Sequence, residues 1–478
     1  MPSTQHIEIS HKTLLSIGAI ADQERTAAYV VGGYVRDKLL GKDDADIDIL
    51  VIGDGIAFAR KVASRIGATN VMEYGKFGTA MMMIDGGKVE FVGARKESYL
   101  PGSRNPRVDS GTLTDDLLRR DFTVNAIAAG LNEKRCGDIE DPFDGRGDLE
   151  RRLLRTPLDP VKTFEDDPLR MMRAVRFASQ LGFAIDEPAF AAIKTMLERI
   201  SIVSMERISE EFLKILKSPA PSVGLRLMFE SGLLHLVFPE IAQMAGIDQR
   251  RDHHHKDVFL HTCTVVDNIS KSTDDVWLRF AALVHDIAKP RTKAYKEGAG
   301  WTFHGHEELG ARMMKSVFRK LKLPQDRLPY VEKLVRLHLR PMALVDDIVT
   351  DSAIRRLVFD AGEYIDDLLK LCRADITSKN LGLTAKYLKN YDILVEKIAQ
   401  VEEKDRLRNW QPPVRGDEIM AVTGLKPGKA VGQLKKAIEE AILDGIIPNE
   451  HEAALQYMIG MKDKILSGLT GLAETVKK

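Results

Sequence analysis

Apolar residues change their spacing along the chain, and this change divides the sequence into two parts. Within the first 150 residues, short apolar runs bounded by glycine or polar residues predict strands at 28–32, at 47–52 and near positions 70, 80 and 89. Helical spacing between those runs predicts helices at about 33–40 and 55–66. This alternation indicates a small α/β fold with a mixed sheet.

From residue 151 onward the strand signals nearly vanish, and Leu, Met, Ala, Glu and Lys recur at the period of a helix. Proline-rich or polar breaks stand at 218–222, 247–257 and 411–415. Taken with the end of the strand pattern, the breaks predict four domains, at residues 1–150, 151–246, 247–380 and 381–478. We therefore expect an α/β head followed by a mostly α-helical remainder.

The composition is that of an ordinary globular protein, since 44% of the 478 residues are hydrophobic and 29% are charged. The formal net charge is +0, so a nucleic-acid surface would be local and compensated by acidic patches. Three cysteines without a C-x-x-C spacing favour a reducing compartment over a disulfide framework or a zinc finger. Because no signal peptide or apolar run of about 18 residues is found, we expect a cytoplasmic protein without a membrane segment.

Two carboxylates, Asp46 and Asp48, stand one residue apart at the second predicted strand. Side chains alternate between the two faces of a strand, so both carboxylates share one face. Such a pair is common in solvated turns, but on a buried strand two like charges need a partner, and a divalent cation supplies it. The upstream Gly32-Gly33 pair lets backbone approach a ligand, and Arg36 adds a charge suited to phosphate.

A third carboxylate, Glu90, lies on the predicted strand near position 89. Alone it would be read as an exposed strand acid, but beside Asp46 and Asp48 it would complete a three-acid metal site on adjacent strands. Two cations about 4 Å apart in such a site can activate a hydroxyl and stabilise leaving pyrophosphate. The acids therefore indicate magnesium-assisted transfer from a nucleoside triphosphate.

A following segment carries charged residues beside an apolar helical face. Phe122 and Ala126 suggest the packed face, and Arg120, Asp121 and Asn125 would then project toward the head. The alternative is a salt-bridge cluster at a helix start. We favour a nucleotide-binding role.

A helix is predicted within 164–177, where Asp167 and Arg170 lie three residues apart on one face and Arg173 and Arg176 extend a basic ridge. An ion pair on a solvated face is one reading. However, Asp accepts and Arg donates hydrogen bonds, and together they match the pairing edges of cytosine and adenine but not those of uracil and guanine. The pair could therefore select C and A without a nucleic-acid template.

Several motifs follow one another between about 27 and 240. They are Gly32-Gly-Tyr-Val-Arg-Asp37 with Asp46-Ile-Asp48, Arg119-Arg-Asp-Phe-Thr-Val-Asn-Ala126, Asp141-Pro-Phe-Asp-Gly-Arg-Gly-Asp-Leu149, Asp167-Pro-Leu-Arg170 and Ser204-Met-Glu-Arg-Ile208. In this order they resemble the bacterial tRNA nucleotidyltransferase and poly(A) polymerase family, class II.

The resemblance implies an α/β nucleotidyltransferase head with a small mixed sheet, then a helical neck, body and tail. It implies template-independent addition of C, C and A from CTP and ATP to the 3′ end of tRNA by two-metal transfer. Asp46 and Asp48 would bind Mg²⁺, and Glu90 would be the third catalytic acid. The nucleotide-binding residues would be Gly33, Arg36, Arg120, Asp121, Asn125, Asp167, Arg170, Arg173 and Arg176. Asp166 departs from the family's usual Glu, and the loop from about 95 to 118 resembles the segment used for terminal A addition.

Eight of the 12 histidines crowd one region, namely His253, His254, His255, His261, His285, His304, His306 and His338. Adjacent imidazole and carboxylate groups, as in His285-Asp286, can share or bridge metals. The block resembles the metal-dependent HD phosphohydrolase superfamily, so the body would include an HD-type helical domain. Its second divalent metal would be bound by His261, His285, Asp286, His306, His338 and Asp375, with His304 competing with His306. Such a domain is either a phosphodiesterase or phosphatase, or an inactive scaffold.

The basic tail 381–478 contains the segment Gly424–Gly432, which resembles the tail of the family's HD-bearing members and would contact the tRNA elbow. A solvated basic surface is the alternative. The expected partners are tRNA, CTP and ATP, and no obligate protein partner is indicated. A poly(A) polymerase, an A-adding enzyme and a CC-adding enzyme share these motifs. Two other hypotheses are an HD phosphohydrolase with an RNA-binding head and a purely structural RNA-binding protein.

Overall fold

The computed structural model describes residues 6–42, 46–68, 70–75, 78–98, 107–247, 257–298, 300–344, 350–377, 381–405 and 412–475. Its elements fall into two units, Met1–Pro239 and Glu240–Lys478.

The strands lie almost entirely in the first unit. They are β1 Ala28–Val31, β2 Ile47–Val51, β3 Val71–Tyr74, β4 Thr79–Ile84, β5 Gly87–Gly93, β6 Arg95–Ser98, β7 Arg107–Ser110, β8 Ala128–Gly130, β9 Ile139–Glu140, β10 Leu153–Leu154, β11 Ala184–Ile185, β12 Ala294–Lys296 and β13 Gly300–Thr302.

The helices of the first unit are α1 Lys12–Gln23, α2 Gly33–Leu39, α3 Gly55–Ile66, α4 Leu113–Leu118, α5 Gly145–Arg151, α6 Pro160–Asp166, α7 Leu169–Leu181, α8 Glu187–Thr195, α9 Met205–Leu216, α10 Pro221–Ser231, α11 Leu233–Val237 and α12 Pro239–Ala242, the last of which crosses the boundary. Those of the second unit are α13 Val258–Ser270, α14 Val276–Val284, α15 Lys289–Thr292, α16 His306–Lys320, α17 Leu328–Leu337, α18 Arg340–Ala343, α19 Asp351–Ala361, α20 Ile365–Asp375, α21 Leu381–Asp405, α22 Gly416–Thr423, α23 Lys429–Leu443 and α24 His451–Thr475.

The head contains a seven-stranded mixed sheet in the order β3-β4-β5-β2-β1-β8-β9. Strands β2 and β5 run parallel, which places Asp48 opposite Glu90. Strands β4 and β5 form a hairpin whose two turn residues, Asp85 and Gly86, have φ of 50° and 81°. Asp-Gly is the pair that this kind of turn favours, because both positions need positive φ. The turn thereby fixes the register between β4 and β5, and the separate pairing of β5 with β2 places Glu90 beside Asp48.

Helices pack against both faces of the sheet through apolar side chains. On one face, the Phe58 ring of α3 packs against the Phe91 ring of β5, with 6.2 Å between the ring centroids. On the other face, Val31 and Leu50 pack with Leu117 of α4 in a fully buried cluster. These contacts cover the apolar part of β2, whereas Asp48 near the start of the strand faces polar side chains.

The predicted fold class is confirmed: the head is a mixed-sheet α/β fold and the remainder is helix-rich. The strands and helices predicted between 28 and 93 are present within a few residues. No element was predicted before residue 27, yet α1 is there. The predicted loop from 95 to 118 is wrong in part, because β6 and β7 pair in antiparallel register and α4 follows them. Residues 99–106 of that loop lie outside the described residues.

The second unit is built from helices and one short hairpin, β12–β13. Its tail has its own buried apolar cluster, which includes Leu434, Ile438 and Met458. None of the helices in the described part of the chain has the length and hydropathy needed to cross a bilayer. The two units divide at residue 239, and the four predicted domain ranges stay a prediction.

A close backbone approach at the end of β5 generates a stability prediction. A Cβ at Gly93 would lie 2.3 Å from the carbonyl oxygen of Gly53, whereas a Cβ at Gly87 would meet its nearest atom at 3.5 Å. We expect Gly93→Ala to lower the free energy of unfolding by about 1–3 kcal/mol, because rigid backbone must shift. Gly87→Ala, on the same strand, should change it by less than about 0.5 kcal/mol. Urea unfolding measures both, and equal effects would contradict the close approach.

Candidate active site and candidate metal centre

A cavity of about 750 Å³ in the first unit is lined by all twelve head residues that the sequence singled out. They are Gly33, Arg36, Asp46, Asp48, Glu90, Arg120, Asp121, Asn125, Asp167, Arg170, Arg173 and Arg176. The cavity lies where β2, β5 and the start of α2 meet α7 and α9. Residues up to 143 positions apart in sequence, from Gly33 to Arg176, thus share one site, although the role predicted for each one remains a prediction.

The carboxylates occupy the sheet side of the cavity. Asp48 lies on β2 directly opposite Glu90 on β5, and Asp46 immediately precedes β2. Burial raises the pKa of Asp48 to about 6, and the negative charges of Glu90 and Asp46 act in the same direction, although Arg120 opposes them. Ionisation of Asp48 is therefore unfavourable in the protein alone, and a divalent cation bound beside the carboxylates would favour it.

The three acids do not converge on a single point. Among the described residues, sets of three ligand atoms within 4.8 Å of one another occur only in the second unit. The Glu90 carboxylate instead lies 3.5 Å from the Lys88 ammonium, with 39% of its side chain exposed. The acids are oxygen ligands of the kind that Mg²⁺ prefers. The three acids therefore fit Mg²⁺ by ligand type. The Glu90 side chain would have to leave its contact with Lys88 to bind the cation together with Asp46 and Asp48.

Glycine at position 32 is required by its surroundings. Its φ is 69°, and a Cβ there would lie 2.7 Å from Nη1 of Arg120. Arg120 is held in place by Asp116, a fully buried carboxylate whose Oδ2 lies 3.2 Å from the guanidinium. Gly32 therefore allows an oriented cation to approach the backbone beside Asp48.

A continuous set of hydrogen bonds joins α2 to α7. Arg36 donates two bonds, of 2.8 and 2.7 Å, to Asp37 and a third, of 2.7 Å, to Oδ1 of Asn125. Asn125 donates to Asp121 at 3.0 Å, and Asp121 accepts from Arg173 at 2.7 Å. Burial alone would raise the pKa of Asp121, but Arg173 and Asn125 lower it to about 2. Asp121 is therefore ionised, and its oxygens bind protein groups.

The sequence predicted that Asp121 and Asn125 face a nucleotide. Both line the cavity, yet their polar atoms contact Arg36 and Arg173. The structure gives them the contacts of residues that position these two arginines. Sequence spacing could not reveal this, because Arg36 and Asn125 are separated by 89 residues.

Asp167 and Arg170 both line the cavity and do not form the alternative ion pair. The prediction that they share one helix is wrong, because Asp167 is extended at the end of α6 and only Arg170 lies on α7. Oδ2 of Asp167 lies 3.7 Å from Nη2 of Arg207, and its Oδ1 accepts from the Leu169 amide at 3.2 Å. Arg170 donates to the carbonyl oxygens of Thr163 at 3.3 Å and Arg119 at 2.5 Å. A guanidinium has five N–H donors, so Arg170 keeps donors for a ligand.

The ring of Phe177 on α7 is surrounded by three guanidinium groups. Those of Arg36 and Arg173 lie 5.3 Å from the ring centroid and that of Arg176 lies 4.1 Å away. The Nε of Arg176 is also 3.0 Å from the buried Glu211 carboxylate. Burial and the charge of Arg173 lower the pKa of Arg176 to about 10, so it stays cationic at neutral pH. The predicted basic ridge is thus organised around an aromatic ring.

Phe177, Glu211 and Arg207 line the cavity, and none was predicted to be functional. Arg207 lies inside the quoted motif at 204–208, so its position was marked but its contact with Asp167 was not. Asp37 and Asp116 were likewise inside or beside quoted motifs, and both bind arginines. The sequence motifs therefore marked the segments that contain these residues, but only the folded structure shows which side chains they contact.

The second unit contains a buried cluster of histidines and carboxylates. His261, His285 and Asp286 form one close set of ligand atoms, and Asp286, His306 and His338 form another. Asp375 completes the cluster, with Oδ1 at 2.9 Å from Nε2 of His261 and 3.5 Å from that of His285. Asp286 belongs to both sets, so it could bridge two cations. All six predicted residues lie together here.

The imidazole rings are oriented for coordination. Nδ1 of His285, His306 and His338 each lies 2.7 Å from a backbone carbonyl oxygen, which makes Nδ1 the donor and leaves Nε2 as a lone pair. Nε2 of His285 and Oδ1 of Asp286 are buried and make no well-aligned hydrogen bond. They lie 3.2 Å from Oδ2 of Asp286 and from Nε2 of His306, respectively. Burial also lowers the pKa of His338 to about 4, so its ring is neutral. Such a donor set fits a divalent metal.

Of the two candidate ligands His304 and His306, the structure places His306 in the cluster, because His306 is buried there and His304 is exposed. The Nζ of Lys289 lies 2.6 Å from Oδ2 of Asp286 at the edge of the cluster. Residues 253–255 lie outside the described residues.

Three families match successive parts of the chain. Residues 28–155 match the Poly A polymerase head domain, and residues 182–244 match the probable RNA and SrmB-binding site of polymerase A. Residues 251–379 match the HD domain. The first match covers the carboxylates, and the third covers the histidine cluster.

Two named relatives are similar over most of their length. The A-adding tRNA nucleotidyltransferase of Deinococcus radiodurans is 33% identical over 441 residues, covering 89% of this chain and 94% of the relative. The Multifunctional CCA protein of Methylococcus capsulatus is 32% identical over 366 residues, covering 73% and 81%. The crystal structure of the Bacillus stearothermophilus CCA-adding enzyme in complex with CTP has a similar fold, with a TM-score of 0.66, 24% identity and coverage of 97% and 100%.

The raised pKa of Asp48 leads to a prediction on stability. In chelator-treated protein we expect Asp48→Asn to raise the free energy of unfolding at pH 8, by up to roughly 3 kcal/mol. The ionised carboxylate is the destabilising form, so the gain should be absent below the ordinary value of 3.8 and grow as the pH rises through about 6. Urea unfolding at pH 4 and pH 8 measures it.

The exposed carboxylate of Asp463 provides the matched control, and Asp463→Asn should leave stability unchanged at both pH values. If Asp48→Asn behaves like that control, burial does not oppose ionisation of Asp48.

Proposed function

We propose, because the chain belongs to the family of tRNA nucleotidyltransferases and poly(A) polymerases, that its head adds C, C and A from CTP and ATP to the 3′ end of tRNA. The observation that carries the proposal is the shared cavity, in which the carboxylates of β2 and β5 face the arginines of α2 and α7. The carboxylates would hold the metal, the arginines would hold the triphosphate, and Asp167 with Arg170 would hold the base.

The reaction transfers a nucleotidyl group. The 3′ oxygen of the RNA forms a bond to the α-phosphorus, the bond to the β-phosphate oxygen breaks, the hydroxyl proton goes to solvent or a nearby base, and pyrophosphate leaves. Asp46 and Asp48, with Glu90, would hold Mg²⁺, which when bound neutralises phosphate charge and makes the hydroxyl more acidic. Protein side chains mainly position the reactants in such transfers.

The arginines supply the matching positive charge. Arg36, Arg120 and Arg173 are each fixed by a carboxylate, so their guanidinium groups are oriented before a triphosphate enters. Preorganised cations of this kind lose little side-chain entropy on binding. We assign these arginines to the triphosphate and the glycines at 32–33 to its closest backbone approach.

Base selection belongs to Asp167 and Arg170 in this proposal. Asp167 has a carboxylate oxygen that only Arg207 approaches, at 3.7 Å, so it can accept from an exocyclic amino group. Arg170 can donate to the ring nitrogen or oxygen beside that amino group. Cytosine and adenine present this donor and acceptor pair, whereas uracil and guanine leave the carboxylate facing an acceptor.

Addition of A alone or of CC alone uses the same groups, and so does poly(A) synthesis. An A-adding and a multifunctional CCA relative are almost equally similar to this chain. We favour complete CCA addition because the Asp167 and Arg170 groups match both bases. An A-adding or CC-adding enzyme is the first alternative, and a poly(A) polymerase is the second.

A second candidate function belongs to the second unit, where two buried sets of three ligand atoms share Asp286. We propose that the histidine cluster binds a divalent metal and hydrolyses a phosphoester. In such a hydrolysis the oxygen of water bonds to phosphorus, the ester P–O bond breaks, and the leaving alcohol takes up a proton.

The specificity is tested with tRNA transcripts that lack the last one, two or three nucleotides, incubated with CTP, ATP or both. Sequenced 3′ ends should show C, C and A added in order and then termination. Asp46→Ala should reduce addition of both nucleotides by about a thousandfold, because several kcal/mol of charge stabilisation is lost, while tRNA binding persists. Glu150→Ala, an exposed acid of α5, is the matched control. Long A tails without any use of CTP would sink the proposal.

Asp167→Ala should relax base choice. Loss of a charged hydrogen bond predicts that the preference for CTP and ATP over UTP and GTP falls by about tenfold to a hundredfold. The measurement is kcat/KM for each of the four triphosphates. Glu165→Ala, an exposed acid two residues earlier, should keep the wild-type preference. Unchanged selectivity in Asp167→Ala would remove Asp167 from base recognition.

The metal centre is tested by equilibrium dialysis with Mn²⁺. His285→Ala should weaken binding at that centre by at least about a hundredfold, because it removes a ligand. His304→Ala, which changes an exposed histidine of the same segment, should bind as the wild type does. Equal binding by His285→Ala and wild type would contradict the site, and hydrolysis that persists in Asp46→Ala would place that activity in the second unit.

A further inference from the structure

A hairpin in the second unit displays two exposed aromatic rings. Tyr295 on β12 and Trp301 on β13 are direct cross-strand partners, with 5.3 Å between their ring centroids. Their exposed fractions are 56% and 41%. They are the two aromatic side chains among the large exposed apolar groups described in this unit. Burying either ring against a ligand would be favourable, since an aromatic side chain can bury 150–250 Å².

The segment that leads into the hairpin is basic, because Lys289, Arg291 and Lys293 precede β12 and Lys296 ends it. Between positions 289 and 302 the chain has four basic residues and one acidic residue. The ammonium of Lys293 lies 4.4 Å from the centroid of the Trp301 ring. Exposed rings with cations beside them are the combination that binds unpaired nucleotides, because bases stack on the rings and phosphates pair with the cations.

Both ends of the hairpin are attached to the histidine cluster. At its start, Lys289 lies 2.6 Å from Asp286 and 5.7 Å from the centroid of the Phe303 ring. At its end, the Phe303 carbonyl oxygen lies 2.7 Å from Nδ1 of His306, one of the cluster's residues. The chain on each side of the hairpin is therefore attached to the histidine cluster.

The planes of the two rings cross at 76°, so a base can stack on the face of one ring and meet the edge of the other. We propose that Tyr295 and Trp301 form such a stacking platform for the nucleobase of a phosphoester, whose phosphate would be held by Lys293 and directed toward the histidine cluster. This inference rests on the proposed phosphoester hydrolysis and names its substrate class: an unpaired nucleotide, either free or at an RNA end. The platform lies outside the head cavity and is distinct from the base-selecting groups there.

A cross-strand aromatic pair can also serve only to stabilise a hairpin. That role predicts no dependence of ligand binding on the rings. Leucine in place of either aromatic residue would preserve the structural role, because it keeps apolar contact across the strands, but it offers no flat ring. Stacking would be preserved by phenylalanine and lost with leucine, so the two substitutions separate the roles.

The test uses the full chain with Trp277→Phe and Trp410→Phe, which makes Trp301 the remaining tryptophan. Its fluorescence is titrated with AMP, with a single-stranded A6 oligoribonucleotide and with an abasic hexamer of ribose phosphate, all in EDTA. We expect saturable quenching by the two adenine probes and none by the abasic one. Tyr295→Leu in this background should weaken the apparent affinity about tenfold, as loss of one stacking surface does. Tyr295→Phe should restore it, and Ile446→Ala, an exposed apolar residue of the same unit, should leave it unchanged.

The absence of quenching, equal quenching by the abasic hexamer, or equal affinity in Tyr295→Leu would each overturn the platform. Quenching by A6 but not by AMP assigns an RNA end as the ligand, and quenching by both assigns the nucleotide itself. Because EDTA removes the metal, this readout is independent of hydrolysis. Hydrolysis is followed separately with Mn²⁺ and two substrates, an adenine dinucleotide and glycerol 2-phosphate, which has no ring.

Trp301→Leu in the otherwise wild-type chain should raise KM for the dinucleotide about tenfold and leave glycerol 2-phosphate unaffected. Equal effects on both substrates would overturn the platform. If neither substrate is hydrolysed while Trp301 is still quenched, the hydrolase proposal fails and the platform stands as a binding site.

Discussion

The structure of the head has to offset the free energy that is needed to keep carboxylates ionised at the end of a central, buried strand. Asp48 lies on β2 beside Glu90 and Asp46, and its burial makes ionisation unfavourable. Arg120 offsets part of that cost, and Gly32 allows this arginine to come close. A protein selected for stability alone would place an apolar residue at this position. Retaining the charge is reasonable where a cation and a triphosphate complete the balance.

The same charge balance explains why the arginines are so tightly constrained. Arg36, Arg120 and Arg173 each contact a carboxylate, and Asn125 joins two of these pairs. The ring of Phe177 then separates the guanidinium groups that would otherwise repel one another at close range. The result is a cationic wall with a fixed shape opposite an anionic one. Phosphoryl chemistry needs this kind of positioning more than it needs covalent participation.

Sequence reasoning succeeded where local periodicity carried the information. The alternation of Asp46 and Asp48 with apolar residues predicted a strand that carries both acids, and the structure places Asp48 on β2 and Asp46 immediately before it. Sequence reasoning failed where partners were distant, as with Asp121 and Asn125, because hydrogen bonds across 52 and 89 residues leave no trace in spacing. It also left out α1, whose apolar face carries no chemical motif, and β6–β7, which lie in a polar segment. For the histidines, only the fold could separate buried His306 from exposed His304.

The central claim is that the head cavity recognises CTP and ATP through groups of the protein. The most direct measurement is calorimetric binding of the four nucleoside triphosphates to the RNA-free chain in the presence of Mg²⁺. CTP and ATP should bind at least about tenfold more tightly than UTP and GTP, since one unmatched charged hydrogen bond is worth at least that factor. Equal affinity for all four would contradict the account and would move base selection to the bound RNA.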